Sequence, residues 1–400
     1  MNHPQLADKK HCTGCMACAD SCGQQAISCI VDEEGHYAYK VDEDKCVLCH
    51  RCEKVCPVVS GMVYGSNDLT LSRPYAVWSR NEVLRANATS GGVFPSIAKS
   101  VIEQGGVVFG AEQGQYYVKH CGVDQLGDIK RLQGSKYTQS KTEGVFMHVA
   151  DALNQGRKVL FSGVGCQVAA LLSFLKGNKN LDNLITLDLI CGGVPSSFLI
   201  KRYIEKQGGN ITAIASYRTK SKYELVIKDK NGKDRTIPTG ERPLPLTGFT
   251  TGAAERYICY DCPFAKGHRL SDITIGDYWG NVLYPEQKAK GASVAIVHNE
   301  KGEKALSSAN IEAHIINWRD FLPNNPRMVY GVGSIPKTRK NLSKAFATYS
   351  YERLLEDYAN KGNIKRPWTV LNKALLVLKG KLSVKRRRKY VEQLLNQYGL

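Results

Sequence analysis

The pattern of hydrophobic and polar positions separates a cysteine-rich beginning from a longer region in which short apolar runs alternate with amphipathic stretches. Gly, Asn and Asp interrupt these runs, which is typical of strands and helices that end in turns. We predict strands at 75–78, 107–111, 157–161, 184–190 and 293–298. We predict helices at 93–104, 168–175 and 197–207. This alternation predicts an α/β main domain with a mixed sheet and flanking helices.

Three further features complete the predicted organisation. Asn231-Gly232, between apolar runs at 223–227 and 235–237, favours a hairpin turn. The segment 61–72, GMVYGSNDLTLS, is predicted as a linker. From about residue 337 the pattern is charged and mostly helical, which predicts a basic helical tail. The predicted divisions of the chain are 1–62, 75–150, 151–335 and 337–400.

Composition is that of an ordinary soluble globular protein, with 42% hydrophobic and 23% charged residues. No apolar run approaches the roughly 20 residues that a membrane-spanning helix requires. The first residues, MNHPQLADKK, lack the apolar stretch of a signal peptide. Fourteen cysteines without an export signal predict a reducing cytoplasm and cysteines that bind metal.

Eight of the cysteines form two runs with the same spacing, C-x2-C-x2-C-x3-C. This spacing is typical of two-cluster ferredoxins, in which the fourth cysteine of each run serves the other cluster. We therefore assign one [4Fe–4S] cluster to Cys12, Cys15, Cys18 and Cys56, and the second to Cys46, Cys49, Cys52 and Cys22. The segment 1–62 is accordingly predicted as a small ferredoxin-like α+β dicluster domain that carries single electrons.

Two alternatives to this assignment are weaker. Structural zinc usually uses two C-x2-C pairs rather than runs of three closely spaced cysteines. Disulfides need an oxidising compartment, which the absence of an export signal does not favour. An iron–sulfur protein is therefore the favoured interpretation of both runs.

Six cysteines remain outside these runs. Two of them, Cys29 and Cys121, have no partner by spacing and are predicted to be ordinary small apolar residues. The other four are candidates for a third [4Fe–4S] cluster: Cys166, Cys191, Cys259 and Cys262. Cys166 and Cys191 each follow a predicted strand, where ligands gather in open α/β sheets, and the other two form a C-x2-C pair. From spacing alone, a zinc site or inert buried cysteines remain open.

Two Gly-rich turns are candidates for holding a phosphate-bearing cofactor. Ser90, Gly91 and Gly92 precede a predicted helix, so their backbone amides can meet an anion at its N-terminus. A helix cap by Thr89 or Ser90 is the simpler alternative. The second turn, GSKYTQS, begins with Gly134, Ser135, Lys136 and Tyr137. Its cation and aromatic ring suit a flavin or a phosphate, and a polar loop is an equally good account.

The order of several segments resembles the coenzyme F420 hydrogenase/dehydrogenase beta-subunit family. These segments are ATSGGVF, GSKYTQS, GVGCQVAAL, DLICGGVPS and CYDCPFAKGHRLSDITIGDYWG. The resemblance covers roughly residues 75 to 330, and a fused ferredoxin segment also occurs in that family. It implies an FAD-containing iron–sulfur oxidoreductase in which the four cysteines from Cys166 to Cys262 bind a cluster near the flavin. It also makes both Gly-rich turns candidate FAD contacts, which places the flavin in 75–150 and the third cluster in 151–335.

The resemblance implies electron transfer between [4Fe–4S] clusters and an organic hydride donor or acceptor at FAD. That substrate is F420 or another compound, such as one in polysaccharide or tetrapyrrole metabolism, because the family is wider than its name. The alternative is a non-catalytic subunit that relays electrons for a partner enzyme. No catalytic residue is assigned, and the polar residues after the C-x2-C pair are predicted as surface or turn positions: His268, Arg269, Asp272 and Asp277.

The formal net charge of +18 bears on the partners. Bound clusters and flavin would offset roughly half of it, and much of the remainder lies in the tail, where the run 385–389 follows Lys379 and Lys381. A solvated helix face is the simplest account. Docking to an acidic redox protein, such as ferredoxin or a hydrogenase or dehydrogenase subunit, and peripheral contact with an anionic membrane are the alternatives. Nucleic-acid binding is not expected, because the basic residues are not interleaved with aromatic ones.

Overall fold

The computed structural model describes residues 3–220, 222–237, 241, 243–280, 283–358 and 385–400. The strands are β1 Ile27–Val31, β2 Tyr37–Val41, β3 Gly65–Ser66, β4 Arg73–Ser79, β5 Val107–Gln113, β6 Val118–Val123, β7 Ser140–Lys141, β8 Val159–Ser162, β9 Leu184–Leu189, β10 Ile211–Ser216, β11 Leu225–Asp229, β12 Asp234–Ile237, β13 His268–Arg269, β14 Ile273–Asp277, β15 Ser293–Val297 and β16 Ile311–Ile315. The helices are α1 Ala17–Asp20, α2 Arg51–Val55, α3 Glu82–Ala86, α4 Val93–Glu103, α5 Ile129–Leu132, α6 Val145–Asn154, α7 Gly165–Phe174, α8 Phe198–Lys206, α9 Leu244–Thr251, α10 Glu300–Ser308, α11 Trp318–Phe321, α12 Leu342–Thr348, α13 Tyr351–Tyr358 and α14, over 385–397.

A mixed sheet of nine strands organises the main domain, in the order β16-β4-β15-β14-β9-β8-β5-β6-β7. Strands β14, β9, β8 and β5 run parallel, and antiparallel pairs extend the sheet from β14 to β15 and from β5 to β6. Helices α6 and α7 pack on one face of this sheet, and α4 and α10 pack on the other. The predicted α/β domain with a mixed sheet and flanking helices is confirmed.

The predicted strands and helices between 75 and 298 are all present, with some ends shifted. The hairpin is also confirmed, because β11 and β12 pair antiparallel across Asn231-Gly232, where Gly232 has a φ of 77°. Strands β6, β10, β14 and β16 and helices α6 and α10 were not predicted from the pattern. The tail contains α12, α13 and α14. Lys379 and Lys381 lie outside the described residues.

The cysteine-rich segment forms a small α+β unit, as predicted, with the β1–β2 hairpin and the contacting helices α1 and α2. It is docked on the main domain at the start of α6. The Asp20 carboxylate accepts hydrogen bonds from the Gly144 amide at 2.6 Å and the Phe146 amide at 3.0 Å. The Thr142 hydroxyl donates to the Cys15 carbonyl at 2.8 Å. The two cluster runs are thereby held against the helix-covered face of the sheet.

The segment 61–72 is a packed strap, so its prediction as a linker was wrong. Strand β3 pairs with β13, and the side chains of Tyr64 and Leu69 are buried, with 3% and 0% exposed. The Tyr64 hydroxyl donates to the Asp188 carboxylate at 2.8 Å. Gly and Asn mark turns in this strap, whereas its two buried side chains tie the cysteine-rich unit to the sheet.

Two other packed groups surround this frame. The three-stranded sheet β10-β11-β12 shares a hydrophobic core with α8, α9, α12 and α13. Helix α14 packs its Val391, Leu394 and Leu395 against β4, β15 and α11. The cluster runs, the main sheet and the tail therefore contribute to one continuous set of packed surfaces.

Candidate functional site

A cavity of about 300 Å³ lies at the carboxyl ends of β8, β9 and β14. Ligand sites form there in open α/β sheets because the loops that leave the strands diverge. The structure brings both predicted turns to this cavity, which they line with Ser90, Gly92, Gly134, Ser135, Lys136 and Tyr137. Gly91 lies behind this lining, where its amide donates to the Ser293 hydroxyl at 2.9 Å.

The first turn leads directly into α4. Gly92 is the N-cap with a φ of 79°, and no side chain caps the helix, so the predicted cap by Thr89 or Ser90 was wrong. The Ser90 hydroxyl instead donates to the Ala292 carbonyl at 2.9 Å. Gly92, Val93 and Phe94 line the cavity, which presents the start of α4 to whatever binds there. Uncapped amides at a helix N-terminus favour an anion.

The second turn contributes a lysine and an aromatic face. The Lys136 ammonium donates to the carbonyls of Leu132 at 2.9 Å and Gln133 at 2.6 Å. Burial lowers the pKa of Lys136 to about 8. The Tyr137 ring stacks on Phe249 with centroids 4.2 Å apart and 14° between the planes. The turn is therefore held at the cavity by its own backbone on one side and by ring stacking on the other.

An ion pair that the sequence pattern did not reveal also lines this cavity. The Arg218 guanidinium lies 2.5 Å from the Asp277 carboxylate, and both residues belong to the lining. Arg218 also lies over Tyr223 and Trp279, at 5.5 Å and 5.3 Å from their ring centroids. Asp277 was predicted as a surface or turn residue. It lies at the carboxyl end of a strand, however, and Cys166 and Cys191 were selected because they also follow the ends of strands. Nothing in the sequence singled out Arg218.

His120 is a second residue of the lining that the sequence did not indicate. Its Nε2 lies 2.9 Å from the Ser162 carbonyl, and its ring stacks on Phe161 with centroids 5.4 Å apart. Burial lowers the pKa of His120 to about 4, so the ring is neutral at ordinary pH. It therefore gives this wall of the cavity an aromatic surface without charge.

A smaller cavity of about 40 Å³ adjoins the first. Its lining includes all four cysteines outside the ferredoxin runs that were predicted to act together, here called the interior cysteine set: Cys166, Cys191, Cys259 and Cys262. Cys191 lines both cavities. Burial raises the pKa of Cys166, and the neighbouring thiols of the set raise it further. Residues up to 96 positions apart in the chain are thus brought to one point.

Charged residues surround the interior cysteine set. Arg256, Arg269 and Arg327 line the same small cavity. Arg269 was predicted to lie on the surface, but it is 2% exposed and its Nη1 donates to the Asp188 carboxylate at 3.0 Å. Glu255 is fully buried, its side-chain oxygens have no hydrogen-bond partner, and burial raises its pKa. Asp188 pairs with one of these three guanidinium groups, so the other two leave the region with positive charge suited to an anionic group.

Asp272 and His268 also depart from their predicted surface positions. Asp272 is 2% exposed and accepts hydrogen bonds from the Thr186 amide at 2.6 Å and hydroxyl at 2.8 Å. His268 is half-buried, and its Nδ1 lies 2.9 Å from the Ser72 hydroxyl. The charged residues of this stretch are typical of a surface loop. In the structure, however, the stretch forms β13 and β14 and runs through the interior.

The ferredoxin cysteines meet across their two runs. Burial, together with the neighbouring thiols of Cys12 and Cys56, raises the pKa of Cys15 to about 12. The first run and the end of the second therefore lie together. Cys22, at the end of the first run, packs in the same small apolar cluster as Cys52. Cys18 lies in that apolar cluster as well, so the two runs are in contact, and the crossed ligand assignment stays a prediction.

The first ferredoxin run lies next to the interior cysteine set. Thr13 lines the small cavity, and Cys15 belongs to the core cluster against which Cys166 and Cys262 pack. The Cys15 thiol is also among the groups that raise the pKa of Cys166, after burial and the interior set itself. The two groups of cysteines are thus neighbours in space.

Cys29 and Cys121 take no part in either cavity lining. The Cys29 amide donates to the Glu143 carboxylate at 3.2 Å, and the Cys121 thiol donates to Glu112 at 3.4 Å. Among the described residues, no three Cys, His, Asp or Glu side chains converge as a single bound metal ion requires. No helix in the described part of the chain is long and apolar enough to cross a membrane.

Comparison with known proteins identifies two regions of the chain. Residues 11–59 match the family described as 4Fe-4S dicluster domain. Residues 156–320 match the family that comprises the C-terminal part of the coenzyme F420 hydrogenase/dehydrogenase beta subunit. No curated protein matches the chain.

Solved structures that are similar in part include a chain from the xenon-derivatised F420-reducing [NiFe] hydrogenase complex of Methanosarcina barkeri, with a TM-score of 0.43 and 16% sequence identity. The alignment covers 72% of this chain and 89% of that chain. The dicluster match supports two [4Fe–4S] clusters in the N-terminal unit. This protein is therefore an iron–sulfur protein in which residues 11–59 match a 4Fe–4S dicluster domain and residues 156–320 match the C-terminal region of the coenzyme F420 hydrogenase/dehydrogenase beta subunit.

Proposed function

We propose that this protein is an iron–sulfur flavoprotein oxidoreductase that passes electrons between [4Fe–4S] clusters and an organic hydride donor or acceptor at FAD. The observation that carries the proposal is the position of Cys191, which lines both the larger cavity and the cavity of the interior cysteine set. Cys191 would therefore hold a cluster next to a flavin bound in the larger cavity, which would allow single-electron transfer between the two groups.

The two N-terminal clusters take the ligands that the crossed spacing predicts. The first ferredoxin set is Cys12, Cys15, Cys18 and Cys56, and the second is Cys46, Cys49, Cys52 and Cys22. Backbone amides donate to two of these sulfurs, from Gly14 to Cys12 and from Ala26 to Cys22, both at 3.3 Å. Such N–H···S bonds stabilise thiolates and raise the potential of a cluster.

The interior cysteine set fits a third [4Fe–4S] cluster. Its four thiols share one cavity, and the amide of Gly193 donates to the Cys191 sulfur at 3.4 Å. A cubane with four thiolates carries net negative charge, which the surrounding Arg256, Arg269 and Arg327 offset. The four ligands of a cubane bind four different iron atoms, so they need not converge as the ligands of one zinc ion do.

The larger cavity fits FAD in the chemistry of its lining. Its volume of about 300 Å³ is at the lower end of the range of ligand and cofactor sites. The uncapped start of α4 and the Lys136 amine suit the pyrophosphate, and the stacked Tyr137 and Phe249 offer a flat aromatic wall. When bound, FAD supplies the conversion between two-electron hydride exchange and single-electron transfer. The residues around it bind, orient and shield that group.

The second ferredoxin set is the outer end of the proposed path. Cys49 is exposed, and next to it Val47 and Leu48 are 62% and 40% exposed. An apolar rim around an exposed cluster ligand suits transient docking of another redox protein. We propose that a ferredoxin-type carrier, or a hydrogenase or dehydrogenase subunit, meets the protein here.

Cofactor content tests the proposal. Anaerobically purified protein should contain about twelve irons and one FAD per chain, and Cys259→Ser should lose about a third of the iron while the dicluster unit keeps its share. Cys121→Ser is the matched control, because this half-buried thiol lies outside both cavities and should leave all the iron in place. Protein without flavin, or Cys259→Ser with unchanged iron, would contradict the proposal.

The substrate class is found by mixing the flavin-loaded protein with reduced F420, NADH, NADPH and reduced ferredoxin in turn. The donor that bleaches the flavin absorbance identifies the class. Steady reduction of a one-electron dye by a hydride donor supports the oxidoreductase. If no hydride donor reduces the flavin-loaded protein and reduced ferredoxin alone does, the protein is instead a non-catalytic relay for a partner enzyme.

A further inference from the structure

A continuous series of hydrogen bonds runs from His268 near the surface to Asp188 in the interior, and we name it the His268–Asp188 chain. Its first link joins His268 Nδ1 to the Ser72 hydroxyl at 2.9 Å. The same hydroxyl lies 2.7 Å from His298 Nδ1, and His298 Nε2 lies 2.8 Å from the Thr274 hydroxyl. The Thr274 hydroxyl donates to the Asp188 carboxylate. One imidazole and two hydroxyls thus connect a half-buried histidine to a carboxylate with no exposed surface.

All donors in this chain point the same way. Thr274 donates to Asp188, so its oxygen accepts from His298 Nε2–H, which leaves His298 Nδ1 as an acceptor. Ser72 therefore donates to His298, and its oxygen accepts from His268. Burial, together with the charges of Arg269 and His268, lowers the pKa of His298 well below its usual range, in agreement with a neutral ring. In this orientation each group donates a hydrogen bond to the next one inward, so transfer of each shared hydrogen to its acceptor moves a proton from His268 to Asp188.

The inner end of the chain lies beside the interior cysteine set. The Asp188 carboxylate accepts from Arg269 Nη1 at 3.0 Å and from the Tyr64 hydroxyl at 2.8 Å. Arg269 lines the cavity of the four cysteines, and its charge acts on the thiols of Cys191 and Cys262. Because Asp188 balances Arg269, a proton on Asp188 leaves a cation uncompensated at the wall of that cavity.

We propose that the His268–Asp188 chain is a proton relay linked to reduction of the cluster held by the interior cysteine set, an inference that rests on the proposed function. Asp188 takes up one proton from solvent when that cluster takes up one electron, and returns it when the electron leaves. One negative charge arrives and one is neutralised, so the net charge of this buried region stays constant. A change of net charge in a region of low dielectric is costly, which is the physical reason for the coupling.

The groups that face the chain are few and fit this role. At the solvent end, burial lowers the pKa of His268, and the charge of Asp68 acts in the opposite direction. Arg269 and the His268 ring, whose centroid is 5.5 Å away, face His298. Tyr64 and Arg269 face Asp188, and burial raises the pKa of Tyr64, so this phenol remains a hydrogen-bond donor. Asp188 is therefore the group at the inner end that is able to accept the proton.

A redox titration followed by EPR at several pH values tests the coupling. The midpoint potential of the interior cluster should fall by about 59 mV for each tenfold decrease in proton concentration, as the uptake of one proton with one electron requires. The two ferredoxin clusters in the same molecule are the internal control, and their potentials should not follow that slope. Asp188→Asn should abolish the slope at the interior cluster, because an amide cannot accept the proton. A pH-independent interior cluster in the parent protein would overturn the proposal.

The rate at which the interior cluster is reduced tests the path itself. This second test remains possible if Asp188→Asn fails to fold. Thr274→Val removes the hydroxyl that connects His298 to Asp188, whereas Thr274→Ser keeps it. Reduction of the interior cluster should become on the order of tenfold slower or more in the valine variant. In the serine variant it should remain close to the parent rate. Equal rates in the two variants would overturn the relay.

Failure of the relay is distinguishable from failure of the proposed function. If no third cluster exists, iron stays near eight per chain and only two EPR signals appear. If the third cluster is present with the expected iron but its potential ignores pH, the proposed function stands and the relay alone is wrong.

Discussion

Arg256 is expected to hold the dicluster unit against the main domain. Its side chain is 4% exposed and donates to the Cys12 carbonyl at 3.1 Å, the Tyr37 carbonyl at 2.6 Å and the Gln139 side-chain oxygen at 2.7 Å. A hydrogen bond from a charged donor contributes about 1.5 kcal/mol or more. Three such bonds give about 4.5 kcal/mol or more, which corresponds to a change of more than roughly a thousandfold in the equilibrium for undocking.

Arg256→Met tests this value, because methionine keeps much of the volume and loses the donors. Limited proteolysis and amide hydrogen exchange of residues 1–62, at matched iron content, would measure undocking of the dicluster unit. Arg353→Met is the control, since this arginine is exposed and covers the Tyr349 ring at the surface. Exchange in 1–62 that is the same in both variants would refute the reasoning, since it would mean that apolar packing alone holds the unit.

Substitutions at Gly91, Lys136 and Leu69 test the flavin cavity and the packed strap. Gly91→Ala should abolish flavin binding and lower the melting temperature, because the added Cβ would lie 2.6 Å from the Val77 carbonyl oxygen; Gly23→Ala, with open space around it, should change neither. FAD affinity, measured by fluorescence titration, should fall as pH rises through about 8, because the Lys136 amine then loses its proton, and Lys136→Gln should remove this dependence. Leu69→Ala should lower the free energy of unfolding by about 2–5 kcal/mol in denaturant titration, because a fully buried side chain leaves a cavity; no measurable loss would mean that the strap is not packed in solution.

Local patterns predicted the central elements well. Strands such as β5 and β8 are short apolar runs bounded by Gly or by polar residues, and α4 is an apolar stripe at helical spacing, so neighbouring residues suffice to identify them. Strand β16 was missed because its residues are at most partly buried and its sequence, IEAHI, resembles a polar loop. The strap 61–72 was misjudged because Tyr64 and Leu69 find their partners far away in the chain.

The residues of the candidate site also fall into those that local sequence predicts and those that it does not. The two cysteine runs carry their chemistry in their spacing, because one loop must supply three ligands to one cluster. Arg218, His120 and Arg256 carry no such signal, since single polar residues acquire a role only from what they face after folding. The prediction that His268 and Arg269 lie at the surface failed for this reason: β13 carries Arg269 to a buried carboxylate.

The sequence by itself determined that the protein binds iron–sulfur clusters and that an α/β sheet follows the dicluster unit, because ligand spacing and hydrophobic period are local properties. Only the tertiary structure decided that Cys166, Cys191, Cys259 and Cys262 share one cavity, and that Cys191 also faces the cavity of both Gly-rich turns. That meeting depends on the parallel order of β8, β9 and β14, whose carboxyl ends come together only when the sheet forms. Contacts between residues distant in the chain are set by packing and charge in three dimensions, which no local spacing records.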